Sequence, residues 1–180
     1  MKIIYAEKYV SPRERPLTAE EQEVRRIAYA LKVPTNEATG RASYALAPLV
    51  DAHAYPGSAI VLMPVPSSTN TLRANRALAL DLANQLRLLS GRYVFIKATV
   101  VRKHPVQSSC YRRRHGMSGL ALEDHGMIRI AGPLTATNTC FYFIDNVATT
   151  GTTLEACRQA LGFGDGIVYA SQGKYHEKAK

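Results

Sequence analysis

Between Phe141 and Leu154 the sequence reads F-Y-F-I-D-N-V-A-T-T-G-T-T-L, an apolar run that ends in an acid and passes into a hydroxyl-rich glycine turn. Asp145 is placed to accept hydrogen bonds from vicinal sugar hydroxyls. Thr149, Thr150, Thr152 and Thr153 supply hydroxyl donors around Gly151, whose missing Cβ lets the backbone approach an anion closely. The chemistry that such a set supports is the binding of a sugar phosphate. Four hydroxyl residues around one glycine exceed what an N-cap requires, so an ordinary strand-to-helix connection accounts for the segment less well. Neither G-x-x-x-x-G-K-[ST] nor G-x-G-x-x-G occurs, which excludes a P-loop and a dinucleotide fingerprint.

Two further segments could work with that turn. Pro64-Val65-Pro66, followed by Ser67, Ser68 and Thr69, makes a stiff loop after an apolar run. Between Val101 and Met117 lie Arg102, Lys103, Arg112, Arg113 and Arg114, with His104 and His115 and no acid. A run of this kind serves as a solvated face, as a nucleic-acid contact or as a clamp for pyrophosphate. Its position between the two loops favours the clamp.

Taken together, these segments resemble the type I phosphoribosyltransferases, whose signature places four apolar strand residues before two acids and a T-T-G-x-T turn. Asn146 stands where the second acid is expected. The Pro64-Val65-Pro66 loop, Arg73-Ala74-Asn75-Arg76 and the segment from Arg102 to Gln107 narrow the resemblance to the ComF-like subgroup, without its four-cysteine zinc module. The resemblance covers roughly Ala59 to Ala170. It implies transfer of a phosphoribosyl group from phosphoribosyl pyrophosphate (PRPP) to a nitrogenous base or other small acceptor, such as a nucleobase, with release of pyrophosphate.

On that resemblance, Asp145 and Asn146 are the catalytic residues at the ribose hydroxyls, and Ala148, Thr149, Thr150, Gly151, Thr152 and Thr153 hold the 5′-phosphate. Pro66, Ser67, Ser68, Arg102 and Lys103 address pyrophosphate, while Gln107, Arg112, Arg113 and Arg114 belong to a flexible loop that closes over PRPP. Mg2+ is the implied cofactor, bridged by substrate and water with Asp145 as its one protein ligand. The alternative is a non-catalytic domain of the same fold that senses PRPP or a nucleotide, or that binds nucleic acid through its basic loop.

Composition sets the frame for these residues. With 46% hydrophobic and 21% charged residues, the 180-residue chain suits one globular domain. A net charge of +9 and a pI of about 9.6 favour an anionic ligand or partner. No apolar stretch reaches the roughly 20 residues of a membrane span, and Glu7 and Lys8 interrupt the place of a secretory core. A cytoplasmic protein, assembled as a homodimer, is expected. Cys110, Cys140 and Cys157 are too few and too scattered for a disulfide framework or a metal knuckle. No Ser-His-Asp set or H-E-x-x-H supports hydrolytic or zinc chemistry.

The elements that must position the site follow from hydrophobic period. A capping box at Thr18-Ala19-Glu20-Glu21 opens a helix to about Lys32, and a second helix runs from about Thr39 to His53. Residues 1–57 are thus read as a helical segment and a possible hood over the acceptor, with 58–180 as the core. Strands are expected at Ala59–Met63, Tyr93–Val101, Met127–Ile130, Cys140–Ile144 and Gly166–Ala170, with a helix from about Asn70 to Leu89 and another from Leu154 to Leu161. The alternation predicts an α/β fold with a largely parallel central sheet flanked by helices. The glycine turn and the proline loop then share the carboxyl edge of that sheet, where open α/β sheets bind ligands.

Overall fold

The computed structural model describes residues 1–11, 15–132, 134 and 137–172, with the backbone alone of Ser109, Cys110 and Arg113. Its elements are β1 (Ile3–Lys8), α1 (Ala19–Ala30), α2 (Asn36–His53), β2 (Ala59–Pro64), α3 (Arg73–Ser90), β3 (Val94–Ile96), β4 (Val100–Arg102), α4 (Ser109–Arg114), β5 (Met127–Arg129), β6 (Thr139–Ala148), α5 (Thr152–Leu161) and β7 (Asp165–Ser171). Five strands form the central sheet in the order β1-β7-β6-β2-β3, every neighbouring pair parallel. The result is the expected α/β architecture, consistent with a type I phosphoribosyltransferase-like fold.

A parallel sheet buries both faces, and two apolar layers do so here. On one face α1, α2 and α3 pack Ile27, Leu31, Leu46, Val50, Leu78 and Leu82 against Ile60, Leu62, Tyr142 and Ile144. On the other, Leu154, Cys157 and Leu161 of α5 cover Val61, Met63, Phe143 and Val168. The crossover β2–α3–β3 leads away from β6, and β6–α5–β7 leads away from β2. Right-handed crossovers in opposite directions put their helices on opposite faces, as α3 and α5 are. The chain therefore reverses its direction between β2 and β6, and the crevice outside their carboxyl ends is the place where such sheets bind ligands.

Close approach of α5 and of the β7 entry depends on two glycines. A Cβ on Gly166 would lie 2.9 Å from Leu154 Cδ1, and one on Gly164, at φ +106°, would lie 2.9 Å from the Phe143 ring.

Several expected boundaries move. Residues 1–57 contain β1, which pairs with β7, and helices whose apolar faces join the same core as α3 and the sheet. α2 begins at Asn36, capped by Thr35, and continues through Pro48. α3 begins at Arg73, because Asn70 turns the chain at φ +61°. The strand expected over Tyr93–Val101 is two strands: β3 ends the central sheet, and β4 pairs antiparallel with β5 in a separate ribbon. The segment around Met127 therefore lies outside the central sheet, where sequence placed it in the series of core strands. β6 runs on past Ile144 to Ala148, in unbroken register with β7.

Candidate functional site

The longer β6 changes the setting of the two central residues. Asp145 and Asn146 lie within the strand instead of just past it, and Asp145 and Val147 pair with Val168 and Ala170. Asp145 is half-buried, and Asn146 is buried with its Oδ1 unpartnered among the described residues.

Asp145 is joined by Asn75, in the first turn of α3. Asn75 Nδ2 donates to the Val65 carbonyl at 2.8 Å and to Asp145 Oδ1 at 3.1 Å, and the Asn146 backbone N–H donates to the same Oδ1 at 2.8 Å. Burial raises the Asp145 pKa above the usual aspartate range. The Asn146 N–H, the Asn75 amide, Arg102 and Lys32 all pull the other way. Neither Asn75 nor Lys32 was given a role from sequence. Asn75 did carry a signal, since it stands at the head of the buried stripe Leu78, Ala79, Leu82, Ala83, Leu86. A polar residue in such a stripe needs a partner.

Ala148 ends β6, buried, and its carbonyl accepts the Gln172 N–H at 3.1 Å. The turn follows directly. Gly151 takes φ +77° and starts α5 without a side-chain cap. The hydroxyls of Thr150 and Thr152 meet at 2.7 Å, and Glu155 N–H closes the first helical bond to the Gly151 carbonyl. Thr152 N–H donates to the Thr150 hydroxyl at 3.4 Å, so the N–H groups of Thr153 and Leu154 are the ones left to an anion, with the helix dipole behind them. Thr150, Gly151 and Thr152 line a cleft of about 290 Å³ with Met1, Ile3, Leu122 and Glu155. Thr149 and Thr153 flank it, each half-buried.

The proline loop is built as a closed hydrogen-bonded ring. Ser67 Oγ meets the hydroxyls of Thr69 and Thr71, both at 3.0 Å, and Asn70 N–H donates to the Ser67 carbonyl. Pro66 is buried beneath it, and Ser68 accepts the Val106 N–H through its carbonyl.

Arg102 serves this loop. It is only 4% exposed, with Nε donating to the Ser67 carbonyl and Nη1 to the His125 carbonyl, both at 2.8 Å. Its own N–H and carbonyl bond the side chain of Asn70. Sequence assigns Arg102 to pyrophosphate; in the structure its Nε and Nη1 hold the loop, and no hydrogen bond joins Nη2 to the described residues. Desolvation lowers its pKa from the ordinary arginine value, and it lowers that of the neighbouring His125, with Arg102 adding to the effect.

Lys103 and Gln107 are exposed at the start of the excursion that joins β4 to β5. Arg112 donates through Nε to the Ser118 carbonyl at 2.8 Å, and Arg114 is exposed. The Arg113 side chain lies outside the described residues. The β4–β5 ribbon packs Val100 and Met127 against α5, so the basic excursion is carried on the α5 side of the sheet.

Among the described residues no three His, Cys, Asp or Glu side chains come together as a metal site. Fold and site together define an α/β protein with a single acid and an uncapped helix start at its topological switch point. No family model and no curated protein matches the chain.

Proposed function

We propose that the crevice binds PRPP and that the protein is a phosphoribosyltransferase. The observation that carries this reading is the Gly151 turn: an uncapped helix start ringed by threonine hydroxyls, directly after the strand that bears Asp145, at the switch point of a parallel sheet. The turn takes the 5′-phosphate, Asp145 the ribose, and the Ser67–Thr71 loop lies where a diphosphate would extend across to β2. Displacement of pyrophosphate from the ribose carbon builds positive charge on the sugar, so an anionic Asp145 favours the transition state and exposed Lys103 and Arg114 favour the leaving group. Mg2+ fits the donor set as an ion held by one carboxylate and otherwise by substrate oxygens and water.

Calorimetric titration of PRPP, with and without Mg2+, tests the reading. Saturable, Mg2+-dependent binding is expected, and it is expected to be lost in Asp145→Ala and in Gly151→Val, whose β-branched side chain cannot hold φ +77° without strain. No binding by the intact protein sinks the proposal.

A second reading has one observation behind it. Lys103, Arg112 and Arg114 have no carboxylate partner among the described residues, whereas Arg15, Arg26, Arg41 and Arg92 each do. A basic excursion of that kind fits a nucleic-acid phosphate backbone. That role requires affinity which falls steeply with salt and drops when Arg112 and Arg114 are neutralised.

A further inference from the structure

The excursion between β4 and β5 carries aromatic rings as well as charge. From Lys103 to Leu122 it has no acidic residue, and Lys103, Arg112 and Arg114 stand in it without a carboxylate partner among the described residues. Its short helix α4 sets Tyr111 one turn before His115, with ring centroids 4.2 Å apart and the planes 34° from parallel. Both residues are exposed, Tyr111 to 45%.

The backbone holds this pair in place. Tyr111 N–H donates to Ser108 Oγ at 3.2 Å, and after Gly116, at φ +66°, the Met117 N–H returns to the Arg112 carbonyl at 2.9 Å. At the root of the excursion the Val106 N–H donates to the Ser68 carbonyl at 2.8 Å. The two rings thus form an aromatic shelf whose ordering is already complete before a ligand arrives. Exposed rings elsewhere lack this charge setting. Tyr93 and Phe95 border Arg92, which Asp51 neutralises.

Cations alone suit any polyanion, and ring faces alone suit any apolar partner. Their combination suits a strand whose phosphates and base faces are both open. In a duplex the bases are stacked on one another and offer no face to a side chain on the surface.

We infer that the β4–β5 excursion binds single-stranded nucleic acid, with unpaired bases stacked on Tyr111 and His115 and the phosphates met by Lys103, Arg112 and Arg114. This deepens the nucleic-acid reading and rests on it.

Fluorescence anisotropy of end-labelled dodecamers with the full-length protein tests the inference. The probes are a uridine strand, a thymidine strand, a duplex of the same length, and an abasic strand with the same phosphates and no bases. At equal salt the base-bearing strands are expected to bind about tenfold more tightly than the abasic strand, the scale of one stacked base. Tyr111→Ala should remove that advantage while the salt slope stays unchanged, and Tyr111→Phe should keep it. Arg114→Gln should weaken all the probes and make the salt slope shallower by about one.

The uridine and thymidine strands distinguish RNA from DNA, and base-dependent affinity for either sustains the inference. An abasic strand bound as tightly as the others, a duplex bound more tightly than either single strand, or an equal loss on every probe from Tyr111→Ala overturns it and leaves the phosphate-backbone reading standing. Binding of none of the probes at low salt overturns both.

Discussion

Asp145 carries a cost that the rest of β6 does not. Its carboxyl is held in a desolvated place where burial outweighs the bonds from Asn75 and Asn146, so its ionised form weakens the folded state. Asp145→Asn should therefore raise the melting temperature at neutral pH, since an amide oxygen can accept the same two N–H bonds without a charge. PRPP affinity should fall in the same variant. A calorimetric melt paired with the titration reads both, and an unchanged or lower melting temperature would contradict the account.

Arg102 makes the opposite case, a buried charge that binds structure together. Arg102→Lys keeps the charge, but one ammonium cannot serve the carbonyls of Ser67 and His125 from the arginine geometry. Urea unfolding should show a loss of about 1–3 kcal/mol for each carbonyl left unpaired, nearly as large in Arg102→Lys as in Arg102→Ala.

At the scale of elements, the amino-terminal helices are fixed by local signals. Thr18 accepts the Glu21 N–H at 3.2 Å while Glu21 returns to the Thr18 N–H at 3.0 Å. Thr18→Ala should destabilise the protein by about 1 kcal/mol, measured by urea unfolding. Glycine in its place should cost only a few tenths. These same signals explain what was legible beforehand. The capping box, the apolar stripe of α3 and the buried runs of β2, β6 and β7 act over a few residues, and sequence pattern finds them.

What was not legible depends on partners far away in the chain. Met1 to Tyr9 gives few periodic residues, and β1 exists because β7 offers it an edge. Val94 and Val100 sit in one apolar stretch, yet only the first reaches β2, while the second turns to meet Ile128 and its neighbours. The end of β6 was hidden for the same reason. Asp145 and Asn146 are poor strand residues by type, and pairing with Val168 and its neighbours holds them in the strand. The glycine turn was found from spacing, but the partnership of Asn75 with Asp145 spans 70 positions and needs the folded sheet.

For the molecule as a whole, stability against acid should fall in two stages. His125 is buried beside Arg102 with its pKa depressed, so the folded protein resists protonating it while the unfolded chain does not. Its contribution is complete above the unfolded value of about 6.5 and is lost as pH falls from there toward the folded value. Glu21 and Glu23, held down to about 2 by Arg15 and Arg26, lose theirs below the ordinary glutamate range. Unfolding in urea at pH 7.5, 6.0 and 5.0 should show the first stage. His125→Asn, which keeps an acceptor for Arg102, should flatten the slope between pH 6.5 and 5. A slope equal to that of the natural protein would rule out His125 as its source.

The pairing of β1 with β7 also bears on how the protein is made. Lys2 N–H donates to Asp165 at 2.8 Å, across 163 positions of chain. β1 thus leaves the ribosome long before β7, the strand on which it docks, and closing so long a loop is slow. Until β7 emerges, β1 and the edge of β6 that faces β7 lack their neighbours. Nascent chains of this protein should be prone to aggregation and responsive to chaperones, and a ribosome-stalled chain ending before Asp165 should be protease-sensitive along its whole length.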